Sequence, residues 1–183
     1  MSNQSNKSSQ LVVLSAVGPD RAGVVNDLTK VVLDCGGNIE ESRMTALGSE
    51  FAMLLLISGN WAAVGKLEKS LEKLAADNSL SINIRKTDQR GDAEACMPYG
   101  IDVVSLDQPG IVFSLANFFA ARKIEIADLA TRRYPAAHTG SQMFGVQMHV
   151  NIPGSMSISQ LRDEFLELCD TLNLDAILEP VKN

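Results

Sequence analysis

The chain has 183 residues, enough for one ordinary domain or two small ones. Apolar residues make up 45% and charged residues 21%, which is typical of a globular protein that builds a core of its own. The formal net charge of -6 argues against a general nucleic-acid binder, because such proteins carry a positive patch.

The first residues and the cysteines favour a cytoplasmic protein. Residues 1–10, MSNQSNKSSQ, are polar, so we expect a disordered tail rather than a secretory signal. The longest apolar run, FAMLLLI, is too short to cross a bilayer, and no membrane contact is expected. Cys35, Cys96 and Cys169 form an odd set with no CxxC pair, which favours reduced thiols over a disulfide framework.

Residues 11–87 predict one domain of strand, helix, two strands, helix and strand. The first strand runs into the turn GPDRAG, after which apolar residues recur at helical spacing. GGNIEESRMTAL and SEFAMLLLIS predict the two middle strands, with Gly48 at the turn between them. The apolar stripe of residues 61–76 predicts the second helix, and LSINIRK predicts the last strand.

The chain then repeats itself after a polar linker at residues 88–97. A shift of 87 positions places Asp20 on Asp107 and Gly23 on Gly110, and the following helices share one apolar phase. Residues 98–183 therefore predict a second domain with the same order of elements. The loop YPAAHTG is about six residues longer than its counterpart in the first copy. Each copy predicts the split βαβ arrangement of ferredoxin-like α+β folds, an antiparallel sheet with helices on one face.

The third strands of the two copies agree on one face and differ on the other. The agreeing face is apolar in both copies and is predicted to lie under the helices: Phe51, Met53, Leu55 and Ile57, aligned with Phe144, Val146, Met148 and Val150. The other face is apolar only in the first copy: Ala52, Leu54 and Leu56, against Gly145, Gln147 and His149. A strand that is apolar on both faces is covered on both. We predict that this first-copy face packs against the second domain or another subunit.

The glycine turns do not match the phosphate-binding motifs. Neither contains GxxxxGK followed by Ser or Thr, nor GxGxxG, and Asp20 and Asp107 would repel a phosphate. Two interpretations remain open. The aspartates cap the helices, with Pro109 in the first helical turn. Alternatively, the first helical amides hold a carboxylate while an aspartate holds an ammonium group, which together suit an amino acid.

The D-x-x-G turn followed by GGNIEESRM resembles an ACT domain, and LDQPGIVFSLANFFAARKIEIADL resembles a second one. The resemblance implies an amino-acid sensor whose ligand lies between two ACT units, against the first loop and the start of the first helix. The implied site residues are Asp20, Arg21, Ala22, Gly23, Val24, Val25, Asn38 and Ile39, and in the second copy Asp107, Gln108, Pro109, Gly110, Ile111 and Val112. Glu125 stands where the first copy has Asn38, which implies an altered or empty second site.

Two ACT units in a short chain with no catalytic domain resemble, within that family, repressors of transcription. The resemblance implies glycine as the effector and a LysR-type activator protein as the partner, with glycine relieving their contact. It implies no cofactor, no metal and no direct contact with nucleic acid. The alternative within the family is a regulatory subunit of an enzyme of amino-acid biosynthesis.

Two further classes are disfavoured by the residues themselves. His138 and His149 lack metal-ligand spacing, and no basic neighbour activates a cysteine, so we expect no catalysis. An RNA-binding module of this fold would carry aromatic residues across its middle strands. The one basic and aromatic cluster, Arg132, Arg133 and Tyr134, is expected at the long loop instead, either solvated or in contact with a partner protein.

Overall fold

A computed structural model of the chain describes residues 10–89 and 95–181, which divide into two compact units on either side of residue 91. The first unit contains β1 (Gln10–Pro19), α1 (Val24–Asp34), β2 (Asn38–Leu47), β3 (Glu50–Gly59), α2 (Trp61–Asn78) and β4 (Ser81–Thr87). The second contains β5 (Cys96–Leu106), α3 (Ile111–Ala121), β6 (Glu125–Pro135), β7 (Gln142–Pro153), α4 (Ile158–Thr171) and β8 (Asp175–Pro180). The predicted pair of βαββαβ units is confirmed.

The predicted tail and linker lie largely outside the described residues. Of the tail at 1–10, only Gln10 is described, and it is the first residue of β1. The linker predicted at 88–97 includes residues 90–94, which are not described. Strand β5 begins at Cys96, two residues before the predicted start of the second domain.

The two sheets have the same topology. The strand order is β2-β3-β1-β4 in the first unit and β6-β7-β5-β8 in the second, and every adjacent pair is antiparallel. The register also breaks at matching places, between Ile39 and Glu41 in β2 and between Ile126 and Asp128 in β6. A bulge of this kind bends an edge strand and redirects one side chain. The duplication therefore extends to local backbone irregularities.

The core of each unit lies between its helices and one face of its sheet. On β3 the side chains of Phe51, Met53, Leu55 and Ile57 are at most 6% exposed, as predicted. On β7 the matching side chains of Val146, Met148 and Val150 are equally buried, and Phe144 packs at the edge of the same core. The alternation of these strands is therefore what places the helices on one face.

The second core is more aromatic than the first. Phe118, Phe119 and Phe165 form a cluster with ring centroids 5.1–5.6 Å apart. The guanidinium of Arg122 lies 3.7 Å from the centre of the Phe118 ring and donates to Glu164 of α4 at 2.7 Å, which joins α3 to α4. In the first unit the corresponding link between helices is a Cys35–Ser70 contact of 3.6 Å.

The open face of the first sheet is partly exposed. Leu54 is 50% exposed, while Ala52 and Leu56 are half-buried. The packing of this face against another unit or subunit stays a prediction.

The extra residues of the second copy extend a hairpin as well as its loop. The loop between β2 and β3 consists of residues 48–49, whereas that between β6 and β7 spans residues 136–141. Strands β6 and β7 also continue about one residue further toward the loop than β2 and β3 do. Arg132, Arg133 and Tyr134 consequently lie within β6, so their predicted position at the loop is wrong.

Candidate ligand-binding turns

Both glycine turns have the same backbone conformation. Gly23 and Gly110 have φ angles of 89° and 92° and occupy the N-cap positions of α1 and α3. This left-handed region is strained for residues with a Cβ, so the backbone favours glycine at both places. No side chain caps either helix. The interpretation of Asp20 and Asp107 as helix caps is therefore wrong, because each lies three residues before the N-cap.

The first turn of each helix offers donors toward solvent. Among the described residues, the amides of Val25 and Asn26 have no acceptor, and the same holds for Val112 and Phe113. Such amides carry the positive end of the helix dipole and suit a small anion. The side chains of Val24 and Ile111 are buried in the cores, so these two residues can offer only their backbone to a ligand.

Hydrogen bonds hold each turn to two places in its unit, the middle hairpin and the end of the second helix. The Asp20 amide donates to the Ser49 carbonyl at 2.9 Å, and the Asp107 amide donates to the Gln142 carbonyl at 2.9 Å. These bonds attach the turn to the middle hairpin, which leaves each aspartate carboxylate available for other partners.

The residue after each aspartate ties the turn to the second helix. Arg21 donates to Asn78 Oδ1 at 2.6 Å, near the end of α2, and Gln108 donates to the Leu172 carbonyl at 3.0 Å, just beyond α4. In the second unit a cavity of about 180 Å³ lies between the turn and this helix end. Sequence reasoning missed the helix ends, because nothing local marks residues so distant along the chain as neighbours of the turn.

The electrostatics of the two turns differ. The Asp107 carboxylate pairs with Arg133 of β6 at 2.6 Å. Arg133 lies opposite Phe144, and the residue opposite the matching Phe51 is Ala46. Within the described part of the chain, Asp20 accordingly has no ion-pair partner. Aligning the two copies by strand register would have revealed this difference from the sequence.

Asn38 and Ile39 lie far from the first turn in the same unit. Asn38 pairs with Ser58, whereas Asp20 adjoins the end of β3 that begins at Glu50. Ser58 and Glu50 are eight positions apart, a separation of about 26 Å along a strand. The structure thus brings Asp20, Arg21, Ala22, Gly23, Val24 and Val25 together but does not bring Asn38 and Ile39 to them.

A separate polar cluster surrounds Asn38. Glu40, at the bulge, accepts hydrogen bonds from Ser58 Oγ and from Asn38 Nδ2, the latter at 2.9 Å. These two bonds, with the Ser58 bond the larger effect, lower the pKa of Glu40 below its ordinary value. The second unit has Ala127 at the bulge, and Asn151 donates to Glu125 at 3.4 Å. The amide side chain of Asn38 therefore already has a carboxylate partner in its own unit.

The described residues contain no grouping of three or more His, Cys, Asp and Glu side chains suited to a metal ion. Cys169 is buried, and burial raises the pKa of its thiol to about 11, which is unfavourable for a nucleophile. None of the helices in the described ranges has the length and apolarity needed to span a membrane.

The duplicated sheets and glycine turns define a class of protein built from two ferredoxin-like α+β units, and comparison with known proteins identifies its family. Residues 10–85 match the family model described as the ACT domain. Over 174 residues the chain is 31% identical to the glycine cleavage system transcriptional repressor of Escherichia coli (strain K12), covering 95% of this chain and 92% of the relative. The chain belongs to the ACT-domain family of this transcriptional repressor.

Solved structures agree over the same length. The crystal structure of a candidate glycine cleavage system transcriptional repressor is 28% identical, with a TM-score of 0.72 over 96% of this chain and 99% of that one. A protein from Galdieria sulphuraria, described as unknown, is 26% identical with a TM-score of 0.79, over 95% of this chain and 99% of that one. Both units, rather than one alone, are therefore shared with known structures.

Proposed function

We propose that the protein senses glycine and represses the glycine cleavage system by binding a LysR-type transcriptional activator, with glycine relieving that contact. The proposal covers a cytoplasmic regulator that catalyses no reaction and does not itself bind nucleic acid. Its support comes from the repressor relatives, which match nearly the full length of the chain. The observation that carries the effector assignment is the carboxylate of Asp20, unpaired among the described residues, beside the open amides of α1.

The first turn suits a zwitterion by its arrangement of charge. The amides of Val25 and Asn26 would receive a carboxylate, and Asp20 would hold an ammonium group. The guanidinium of Arg21 already pairs with Asp27 at 2.6 Å, so it positions the turn and leaves the Asp20 carboxylate to the ammonium group of the ligand. Gly23 adds no side chain above the helix start, and a small amino acid can approach the backbone closely.

Asn38 and Ile39 can join this site only from a second copy of the chain. Their distance from the turn within one unit excludes a shared pocket there. We therefore propose a homo-oligomer in which the start of β2 from one copy approaches the first turn of another. For the second unit we propose a turn that binds glycine weakly or not at all, because Arg133 already neutralises the Asp107 carboxylate. The residues of this turn are Asp107, Gln108, Pro109, Gly110, Ile111 and Val112.

Calorimetric titration of the full-length protein with glycine tests the effector site. Asp20→Asn should weaken binding about tenfold, because it removes one charge-assisted contact. Asp88→Asn makes the same chemical change at an exposed position near the opposite end of the first sheet and should leave affinity unchanged. Equal affinities for the wild type and Asp20→Asn would contradict the site. A ligand at 100 times its dissociation constant should also add about 2.7 kcal/mol to the free energy of unfolding.

A binding assay with a purified LysR-type activator of the glycine cleavage genes tests the partner. The protein should bind the activator without glycine and release it when glycine is added. The alternative, a regulatory subunit of an enzyme of amino-acid biosynthesis, predicts no activator binding and a glycine-sensitive complex with such an enzyme.

A further inference from the structure

The open face of the second sheet carries a group of polar residues that the first sheet lacks. Matching positions follow from the strand registers, which pair Arg132 with Gly145 as they pair Thr45 with Ala52. The exchanges from the first to the second sheet change most of the central positions together: Ser15 to Asp102, Thr45 to Arg132, Leu47 to Tyr134, Ala52 to Gly145, Leu54 to Gln147 and Leu56 to His149. The apolar residues at the centre of the first face, Ala52, Leu54 and Leu56, are thus replaced by glycine and two polar residues in the second.

Five of these six residues, all except His149, line a cavity of about 130 Å³. Gly145 is one of the lining residues, and a Cβ there would lie 3.6 Å from Tyr134 and 3.8 Å from Arg132. Drug-sized ligands occupy pockets of about 300–1,000 Å³, so this cavity suits a molecule of only a few heavy atoms. It is too small for a nucleotide.

Opposite charges line the cavity on either side of β7. The Arg132 guanidinium lies 5.2 Å from the centre of the Tyr134 ring, which holds it in place, and it has no ion-pair partner among the described residues. On the other side, Gln147 donates to Asp102 Oδ1 at 3.1 Å and orients that carboxylate. The second oxygen of Asp102 has no donor in the described part of the chain.

We propose that this cavity is a second binding site for a small α-amino acid, separate from the glycine turns. Arg132 would bind the carboxylate of the ligand in the paired geometry that guanidinium groups favour. Asp102 would accept from its ammonium group, and Gly145 provides the space. A ligand with only one of the two charges would leave either Arg132 or Asp102 without its partner, so the site selects a zwitterion.

The test is an NMR titration of the ¹⁵N-labelled full-length protein with glycine, acetate and methylammonium as separate probes. Glycine should shift the amide signals of Ala130, Arg132, Gly145 and Gln147, while each single-charge probe binds at least about tenfold more weakly. Arg132→Gln and Asp102→Asn should each weaken glycine binding at these signals about tenfold. Arg85→Gln, on the corresponding face of the first sheet, removes the same charge and should change nothing.

Three results would overturn the proposal: no shift at these four amides, equal binding of acetate and glycine, or unchanged binding in Arg132→Gln. Gly145→Ala adds a check that does not alter charge, since its methyl group fits at ordinary contact distances and should weaken binding by reducing the space. Amides of the glycine turns, such as Val25 and Val112, report on the proposed effector site in the same spectra. Failure of one site is thereby distinguished from failure of the other.

Discussion

The two glycine turns share a backbone but not a charge arrangement. Gly23 and Gly110 differ by only 3° in φ, from 89° to 92°. A backbone hydrogen bond of 2.9 Å attaches each turn to the middle hairpin of its unit. Asp107 nevertheless has a guanidinium partner in β6, Arg133, and the position that matches Arg133 in the first unit is Ala46. The difference shows that the fold fixes the peptide framework while a side chain on a neighbouring strand sets what the turn can bind.

The cores of the two units differ as well, and a substitution in the aromatic core of the second unit has the largest expected effect on the free energy of unfolding. Phe165→Ala removes the centre of the aromatic cluster and should lower the free energy of unfolding of the second unit by about 3–5 kcal/mol. Urea unfolding followed by NMR reports each unit separately. Phe113→Ala provides the control, since Phe113 is 74% exposed on α3 and its removal should cost less than about 0.5 kcal/mol. Equal losses in both units would show that they unfold as one.

Substitution of the turn glycines tests the shared part of the comparison. Gly23→Ala and Gly110→Ala should each lower the free energy of unfolding by about 1–2 kcal/mol, because the left-handed conformation strains a residue with a Cβ. Gly65→Ala is the contrasting case. Gly65 lies inside α2 with open space around it, so alanine should raise stability by about 0.5–1 kcal/mol. A neutral Gly110→Ala would mean that the second turn relaxes in a way the first does not.

Exchanging the residues at the matching positions Ala46 and Arg133 tests whether the ion-pair partner of the aspartate controls ligand binding. Ala46→Arg should give Asp20 the partner that Asp107 has and weaken glycine binding at the first turn about tenfold, or 1.4 kcal/mol. Ala46→Gln has similar length without charge and should bind as the wild type does. Arg133→Gln should do the reverse and free the second turn for glycine. Calorimetry of the three variants measures both directions, and unchanged affinity in Ala46→Arg would refute the role of the counterion.

The smallest expected effect concerns pH and the helices of the second unit. Hydrogen bonds from Arg122, and then from Gln160, lower the pKa of Glu164 from its ordinary value of 4.5. A lowered pKa stabilises the folded state at pH above that ordinary value, and the contribution is lost as pH falls through the folded pKa. Glu164→Gln should therefore flatten the acid dependence of second-unit stability below about pH 4.5 without changing the first unit. Acid titration of thermal stability for both proteins checks this.

Repeat and periodicity were enough to predict the fold, since the apolar stripes of helices and strands recur at one offset and encode the same buried faces. They left open whether the aspartates cap the helices. The structure shows that they do not, because a glycine in the left-handed conformation occupies each N-cap position. They placed Arg132 and Tyr134 at a loop, because hairpin length depends on pairing between strands rather than on local sequence. The separation of Asn38 from Asp20 likewise follows from strand direction, which one-dimensional spacing does not contain.

The longer hairpin of the second copy offers a practical route to watching one turn alone. Its loop is closed by a bond of 2.8 Å from the Ala136 amide to the Ser141 carbonyl, and the next residue, Gln142, accepts from the Asp107 amide. His138 lies exposed at the tip. A fluorescent label attached there through His138→Cys, with Cys96 changed to Ser, would sit on the element that anchors the second turn. The two-residue loop of the first copy has no such position, so a label in the longer loop would report on the second turn without reporting on the first.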